Sequence, residues 1–317
     1  MTIKYPLISV IMPAFNVEPW IEASIDSVIK QSYPNIELII IDDCSTDNTY
    51  SIIENISKEH NIIKYKRNIQ NLKICKTLNH GIQMSSGEYI ARIDADDIAY
   101  IERIQKQFDF LVENNLDLVG CQMTAIDEYN NILSSSKLPC GLELINSTKL
   151  FRAPITHIWL CKKEIYQKLN YYRDIPYAED YDFLLRALDH GYKCDNHPEE
   201  LMFIRHRIGN TASTVSLKQR KTHSYVVKLA KERQKNNSLK DSFSITRLNK
   251  HIYYWNITNT LHNYSSKQLN NAYKTTNTFK KIMYLILCSL TSIYNLSYLV
   301  DKVKYIMNYK RMNLKKS

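Results

Sequence analysis

The sequence predicts an α/β protein: a doubly wound, mainly parallel sheet flanked by helices, followed by a mostly helical appendage. Three observations carry this prediction. Short apolar runs such as Ile36–Ile41 alternate with segments whose apolar residues recur at helical spacing, and strands apolar on both faces need helices on both sides. Polar or acidic loops follow these runs, where the ligand crevice of such a sheet lies. Beyond about residue 217, glycine and proline vanish and lysine-rich helical periodicity takes over.

Each element follows in order. Leu7–Met12 reads as a buried strand ending at Pro13, and Val17–Gln31 as a helix broken by Pro34. Ile36–Ile41 is the second strand, Thr49–His60 the next helix and Ile62–Lys66 the third strand. Lys76–Met84 is helical, and Glu88–Ile93 is a strand running straight into Asp94-Ala95-Asp96-Asp97. Ile101–Asn114 reads as a helix and Leu116–Cys121 as a strand, with looser structure to about Pro139. A helix over Asp182–His190 closes at Gly191.

Composition narrows the class. With 317 residues, 44% of them hydrophobic, the chain can bury a core, and wholesale disorder is excluded. The net charge of +10 divides unevenly: residues 1–217 hold 22 basic and 29 acidic side chains, residues 218–317 hold 20 and 3. The expected division is therefore a domain over 1–217 and a basic helical region over 218–317, the latter meeting an anionic partner. No nucleic-acid module appears, so nucleic acid is not expected, and an anionic membrane surface is. Ile282–Val300 holds no charge but includes Ser289, Thr291, Ser292, Asn295 and Ser297. It only just meets the roughly 20 residues a span needs, and reads as an interfacial or core helix. Seven cysteines without a CxxC pair, and no secretory signal, point to a reduced cytoplasmic setting.

The candidate chemistry sits at the strand ends. Three carboxylates within Asp94–Asp97 repel one another, and a fold tolerates them there chiefly when a cation neutralises them. Hard oxygen ligands select Mg²⁺ or Mn²⁺, which keep positions open for substrate phosphate. The alternative is an exposed acidic turn. Asp42 and Asp43 follow the second strand at an equivalent place. They are positioned to accept hydrogen bonds from a base or ribose, or to cap the following helix, for which Asp47 and Ser45 are better placed. Glu179-Asp180 precedes a helix, either as its cap or as a general base. His157 and His206 are lone histidines, structural or metal-binding. Arg205 and Arg207 are able to clamp phosphate oxygens or to serve as surface charge.

Taken together, four segments resemble the family-2 glycosyltransferases of GT-A fold. They are Ser9–Asn16, Ile40–Asp47, Gly87–Asp97 and Ala178–Asp182, matching in order and spacing over about residues 6–215. The nearest likeness is to bacterial enzymes of lipooligosaccharide, capsule and O-antigen synthesis. The resemblance implies a mixed, mainly parallel GT-A sheet and an inverting, metal-dependent transfer of a hexose or N-acetylhexosamine from a UDP-sugar to a saccharide or glycolipid hydroxyl. It implies that Pro13 and Phe15 flank the base, Asp43 binds the uracil, and Asp94 contacts the ribose. Arg92 and Ala95 fall in the same nucleotide-sugar segment. Asp96 would coordinate Mn²⁺ or Mg²⁺, with His157 as a substitute third ligand, and Asp180 would be the catalytic base.

The sequence departs from the family pattern at three places. Cys44 stands where the family usually has glycine after its Asp-Asp pair, and Lys73 where it favours glycine in the next loop; Lys73 or Lys76 reads as a surface lysine or, failing that, as a phosphate contact. Near His206-Arg207-Ile208-Gly209 the usual Tyr-Arg-x-His is incomplete. A nucleotidyltransferase would open with a Gly-rich basic loop, which Pro13–Asn16 is not. A non-catalytic subunit of a membrane assembly complex would not be expected to keep Asp43, Asp94, Asp96 and Asp180. The enzyme is expected on the inner face of the bacterial cytoplasmic membrane.

Overall fold

The computed structural model describes residues 5–207 and 216–314. These fall into two compact units, one made of residues 5–146 and 154–207, the other of 147–153 and 216–314.

In the first unit the order is β1 (Ile8–Ala14), α1 (Ile21–Ile29), β2 (Ile36–Asp42), α2 (Thr49–Glu59), β3 (Ile63–Arg67), α3 (Lys73–Met84), β4 (Tyr89–Arg92), β5 (Ile98–Ala99), α4 (Arg103–Glu113), β6 (Leu118–Ile126), β7 (Ile132–Ser135), α5 (Leu142–Thr148), β8 (Leu160–Lys162), α6 (Lys163–Lys168), α7 (Glu179–Asp189) and β9 (Cys194–Arg205). The last two residues of α5 belong to the second unit. One mixed sheet runs β3-β2-β1-β4-β8-β6-β9-β5, with β7 paired to β6. β1, β2, β3 and β4 pair in parallel, β8 is antiparallel to both neighbours, and β6 and β9 are parallel.

Strand periodicity explains the two faces. Val10, Met12, Leu38 and Ile40 join a core with Ile21 and Ile25 of α1 and Ile104 of α4. Their neighbours Ile11, Ile39 and Ile41 join a second core with Leu78 and Ile82 of α3 and Phe183 and Leu184 of α7. Alternate residues point to opposite faces, so both faces must be apolar and both are covered. α3 lies so close to β1 that a Cβ on Gly81 would come within 2.7 Å of the Ile11 side chain. At the other end of α3, Leu72 and Lys73 N–H donate to Asp43, which places the helix N-terminus beside the end of β2.

β1 runs past Pro13 to Ala14, two residues further than the sequence predicts. Its pairing with β4 stops at Ile11↔Arg92, while pairing with β2 continues to Ala14↔Asp42. β1 and β4 therefore separate at their carboxyl ends, at the reversal of strand order where a crevice opens. Beyond Cys121 the sequence predicts looser structure, but β6 continues to Ile126 and pairs with β7. β8 has only three residues, too few for any periodicity to show.

The second unit is helical: α8 (Leu217–Lys235), α9 (Ile245–Ile252), α10 (Asn256–Lys274), α11 (Thr278–Thr291) and α12 (Ile293–Leu314). Ser216, Ser244 and Asn277 cap α8, α9 and α11 by accepting from the backbone N–H three residues on. The single helix expected over Ile282–Val300 is in fact two. Ser292 is extended at φ −150° and ends α11. Its hydroxyl meets His262 Nδ1 at 2.8 Å, and Asn295 Nδ2 donates to Ser265 Oγ at 2.9 Å. These buried polar contacts hold the break. Among the described residues, no helix is long and apolar enough to cross a membrane.

Candidate active site

β4 delivers Arg92 at its last position, and Ile93 N–H still bonds to Ile11 O before the chain turns. The turn is closed by Asp97 N–H donating to Asp94 O at 3.0 Å. Three carboxylates are thereby gathered on one short loop, and Ala95 between them packs into the core on the α1 face.

The chain supplies its own counter-charges to this loop. Arg92 is buried and donates from Nε to Asp94 Oδ1 at 3.0 Å and from Nη1 to Glu179 Oε1 at 3.2 Å. Arg103 of α4 braces it from behind, donating to Arg92 O at 2.7 Å and Ile158 O at 3.0 Å. At the end of β9, the Arg205 backbone N–H donates to Asp97 Oδ1 at 2.8 Å, and its Nε to Asp96 O at 2.8 Å. Arg207 donates from Nε to Asp96 Oδ2 at 2.6 Å and lies 5.0 Å from the ring centroid of Trp20. The cationic charge expected against Asp94–Asp97 is supplied in part by guanidinium groups of the chain itself.

His157 lies among the remaining acids. Its Nε2 is 3.4 Å from Asp94 Oδ2 and its Nδ1 3.9 Å from Asp180 Oδ2. Burial, helped by Arg92, holds its pKa down against the pull of Asp94 and Asp180. Burial also opposes ionisation of Asp94, but Arg92, His157 and Arg207 outweigh it and keep that carboxyl below its usual range. Asp96 is pushed up by burial and by Asp94, with Arg207 opposing. Asp97 is pushed up well above the usual range by burial and by its two neighbouring carboxylates. Glu179 is pushed up to about 7 by burial and by Asp180.

The residues fit a divalent cation. One ligand atom each of Asp94, Asp97 and His157 lies within 4.8 Å of the others. His157 Nε2 is buried without a hydrogen-bond partner, and a neutral imidazole is the ligating form. Asp96, the expected ligand, is not in that group and is engaged by Arg207. Asp97, which sequence reasoning left without a role, is in it. Arg103 was also missed, and Glu179, read as a helix cap or general base, is instead paired with Arg92. Only their three-dimensional meeting with Arg92 reveals them.

The end of β2 is built differently. Asp43 is buried; its Oδ1 accepts from Asn68 Nδ2 at 2.8 Å and Leu72 N–H at 2.7 Å, and its Oδ2 from Lys73 N–H at 2.9 Å. Three of its four acceptor positions are thus used, two of them by backbone N–H groups at the start of α3. Asp42 pairs with Arg67 at 3.2 Å. Asp47 accepts from the N–H of Thr49, the first residue of α2, at 3.1 Å. Cys44 and Lys73, the two residues at family glycine positions, have φ of +63° and +67°. Glycine is favoured there because it alone adopts this region without a Cβ penalty. Pro13 lies within the β1–β2 pairing, one residue before its end at Ala14, and Asn16 just beyond accepts from Thr46 N–H at 2.9 Å. Phe15 is exposed. Of the Arg205–Gly209 segment, Ile208 and Gly209 lie outside the described residues.

Comparison with known proteins supports the class. The model of the family described as "Glycosyl transferase family 2" matches residues 9–170. An uncharacterized glycosyltransferase of Haemophilus influenzae is 34% identical over 68% of this chain and 71% of its own length. The Escherichia coli UDP-Glc:alpha-D-GlcNAc-diphosphoundecaprenol beta-1,3-glucosyltransferase WfgD is 30% identical over 60% and 76%. Among solved structures, S. aureus TarS with UDP-GlcNAc aligns over 95% of this chain and 89% of its own, with TM-score 0.61 and 19% identity. The Pyrobaculum calidifontis mannosyltransferase PcManGT with GDP-Man and Mn²⁺ aligns over 96% and 88%, with TM-score 0.59 and 17% identity. At such identities these likenesses speak for the fold, which is of GT-A type. The matched model covers half of the chain, and with the relatives it places this protein in glycosyl transferase family 2.

Proposed function

We propose that this protein is an inverting transferase that moves a hexose or N-acetylhexosamine from a UDP-sugar to a saccharide hydroxyl, with Asp180 as base. The observation that carries the reading is the convergence of Asp180, His157, Asp94 and Asp97 from three separate segments at one strand end. Asp180 suits the role better than its neighbour. Glu179 is buried and held by Arg92, whereas Asp180 has a quarter of its side chain (24%) exposed. Asp180 takes the proton of the acceptor hydroxyl as that oxygen bonds to the anomeric carbon and the bond to the UDP β-phosphate oxygen breaks. Mn²⁺ or Mg²⁺ on Asp94, Asp97 and His157 would offset charge on the departing diphosphate. Arg92 holds Asp94 in place. Pro13, Phe15 and Asp43 line the base side in this reading, with Asp43 using its one remaining acceptor position. Asp96 would act through Arg207 or as a further metal ligand.

The acceptor reading, a lipid-linked saccharide of surface polysaccharide synthesis, leans on the activity named for the E. coli relative. In Asp180→Asn, transfer measured as UDP release should fall about 10²–10⁴-fold with UDP affinity unchanged. Undiminished transfer removes Asp180 from the mechanism. If the wild type releases no UDP from any UDP-hexose, with Mn²⁺ and lipid-linked acceptors present, the class of donor is wrong.

Residues 1–217 would carry transfer and residues 218–317 would lie on the inner face of the cytoplasmic membrane. Phe279, Ile282, Met283, Ile286 and Leu290 are exposed along α11 at one-face spacing, next to Lys280 and Lys281. Apolar face and positive charge together suit an anionic bilayer. The wild type should co-sediment with phosphatidylglycerol vesicles, and Ile282→Glu with Ile286→Glu should weaken this about tenfold or more. Equal binding by both forms refutes the assignment.

A further inference from the structure

Three guanidinium groups touch the acidic loop, and they are not equivalent. Arg92 is 5% exposed and engages Asp94 and Glu179. Arg205 is 2% exposed and donates to Asp96 O and Asp127 O. Both hold the loop together. Arg207 differs: 18% of its side chain is exposed, and among the described residues only its Nε has a hydrogen-bond partner, Asp96. Its plane is held between the Asp96 carboxylate and the face of Trp20. Nη1 and Nη2 therefore belong to a partly exposed fork that Asp96 and Trp20 hold beside the loop following β4. Such a fork matches two oxygens of a phosphate group.

We propose that Arg207 is a resident cation for the diphosphate of the nucleotide donor, so that part of the diphosphate affinity needs no divalent metal. This rests on the UDP-sugar reading above and goes beyond it by assigning the phosphate charge two separate partners. Arg207 serves one side through Asp96, and the Asp94, Asp97 and His157 group is left for a metal. Asp96 orients the guanidinium by fixing Nε, and Trp20 restricts its tilt. In the resemblance this stretch matches the family's arginine and lacks the histidine that usually follows it.

Binding tests this directly. UDP and uridine are titrated calorimetrically into the full chain, in EDTA and in Mn²⁺. In EDTA the wild type should bind UDP about tenfold or more tighter than uridine, the range of one charge-assisted bidentate contact. Arg207→Gln should erase that difference, leave uridine binding unchanged, and recover UDP binding in Mn²⁺. Arg207→Lys should keep part of it. An unchanged ratio of UDP to uridine affinity in Arg207→Gln overturns the proposal, as does a wild type with no preference for UDP in EDTA. If Arg207→Gln also loses uridine, Arg207→Lys is scored by the same ratio. A wild type that binds neither compound even with Mn²⁺ overturns the UDP reading itself, and this inference with it.

Discussion

Two parallel strands of one sheet, β2 and β4, both end in runs of aspartate, and the two runs are neutralised by different means. At β2 the Asp43 carboxylate is met by the backbone N–H groups of Leu72 and Lys73 and by the Asn68 amide. The two backbone donors cannot leave without unwinding the start of α3. At β4, Asp94 and Asp96 are met by the side chains of Arg92 and Arg207. A side chain can exchange one partner for another, and a backbone amide at a helix start cannot. An acidic pair held by main chain is thus an anchor first, while one held by arginine is ready to take a ligand.

The comparison is most sharply tested by removing a counter-charge. Arg92→Gln strands the buried Glu179 and leaves the half-buried Asp94 with His157 alone at its side, and should lower the unfolding free energy in urea by about 3–5 kcal/mol. Adding Glu179→Gln should recover part of the loss. A fall of under about 1 kcal/mol would show that arginine does not neutralise this end. Next in size is Asp43→Ala, which takes the acceptor from Leu72 N–H and leaves Asn68 and Lys73 with only Thr77 Oγ1 and Asn71 Oδ1. Chemical denaturation should show a loss of about 1–3 kcal/mol, in the absence of any nucleotide. If stability holds and only UDP affinity drops, the β2 end is a ligand site and not an anchor. The smallest effect has the opposite sign. Lys73→Gly and Cys44→Gly relieve left-handed backbone at φ +67° and +63°, and each should stabilise by about 0.5–1 kcal/mol. Destabilisation by either would mean that its side chain makes contacts worth more than the strain.

The first half of the sheet was legible because its signal is local. Ile36–Ile41 is apolar on both faces, so it reads as a covered parallel strand without knowledge of its neighbours. The helix over Ile282–Val300 misled for the same reason: apolar length is local, but the break at Ser292 depends on His262, some thirty residues away, accepting or donating across a packed interface. β8 escaped because three residues carry no period, although their pairing to β4 and β6 completes the sheet.

The site divides along the same line. The sequence by itself determined that carboxylates would gather at strand ends, since a buried strand must stop where polar residues begin and the crevice of such a sheet opens there. Tertiary structure alone decided how the carboxylates share their partners: Asp94 with Arg92 and His157, Asp96 with Arg207, Asp97 with the backbone of Arg205, and Asp43 with α3. The physical reason is separation along the chain. Arg205 and Arg207 lie more than a hundred residues from the loop they neutralise, and no pattern of spacing reports an electrostatic pairing that only the closed sheet brings within reach.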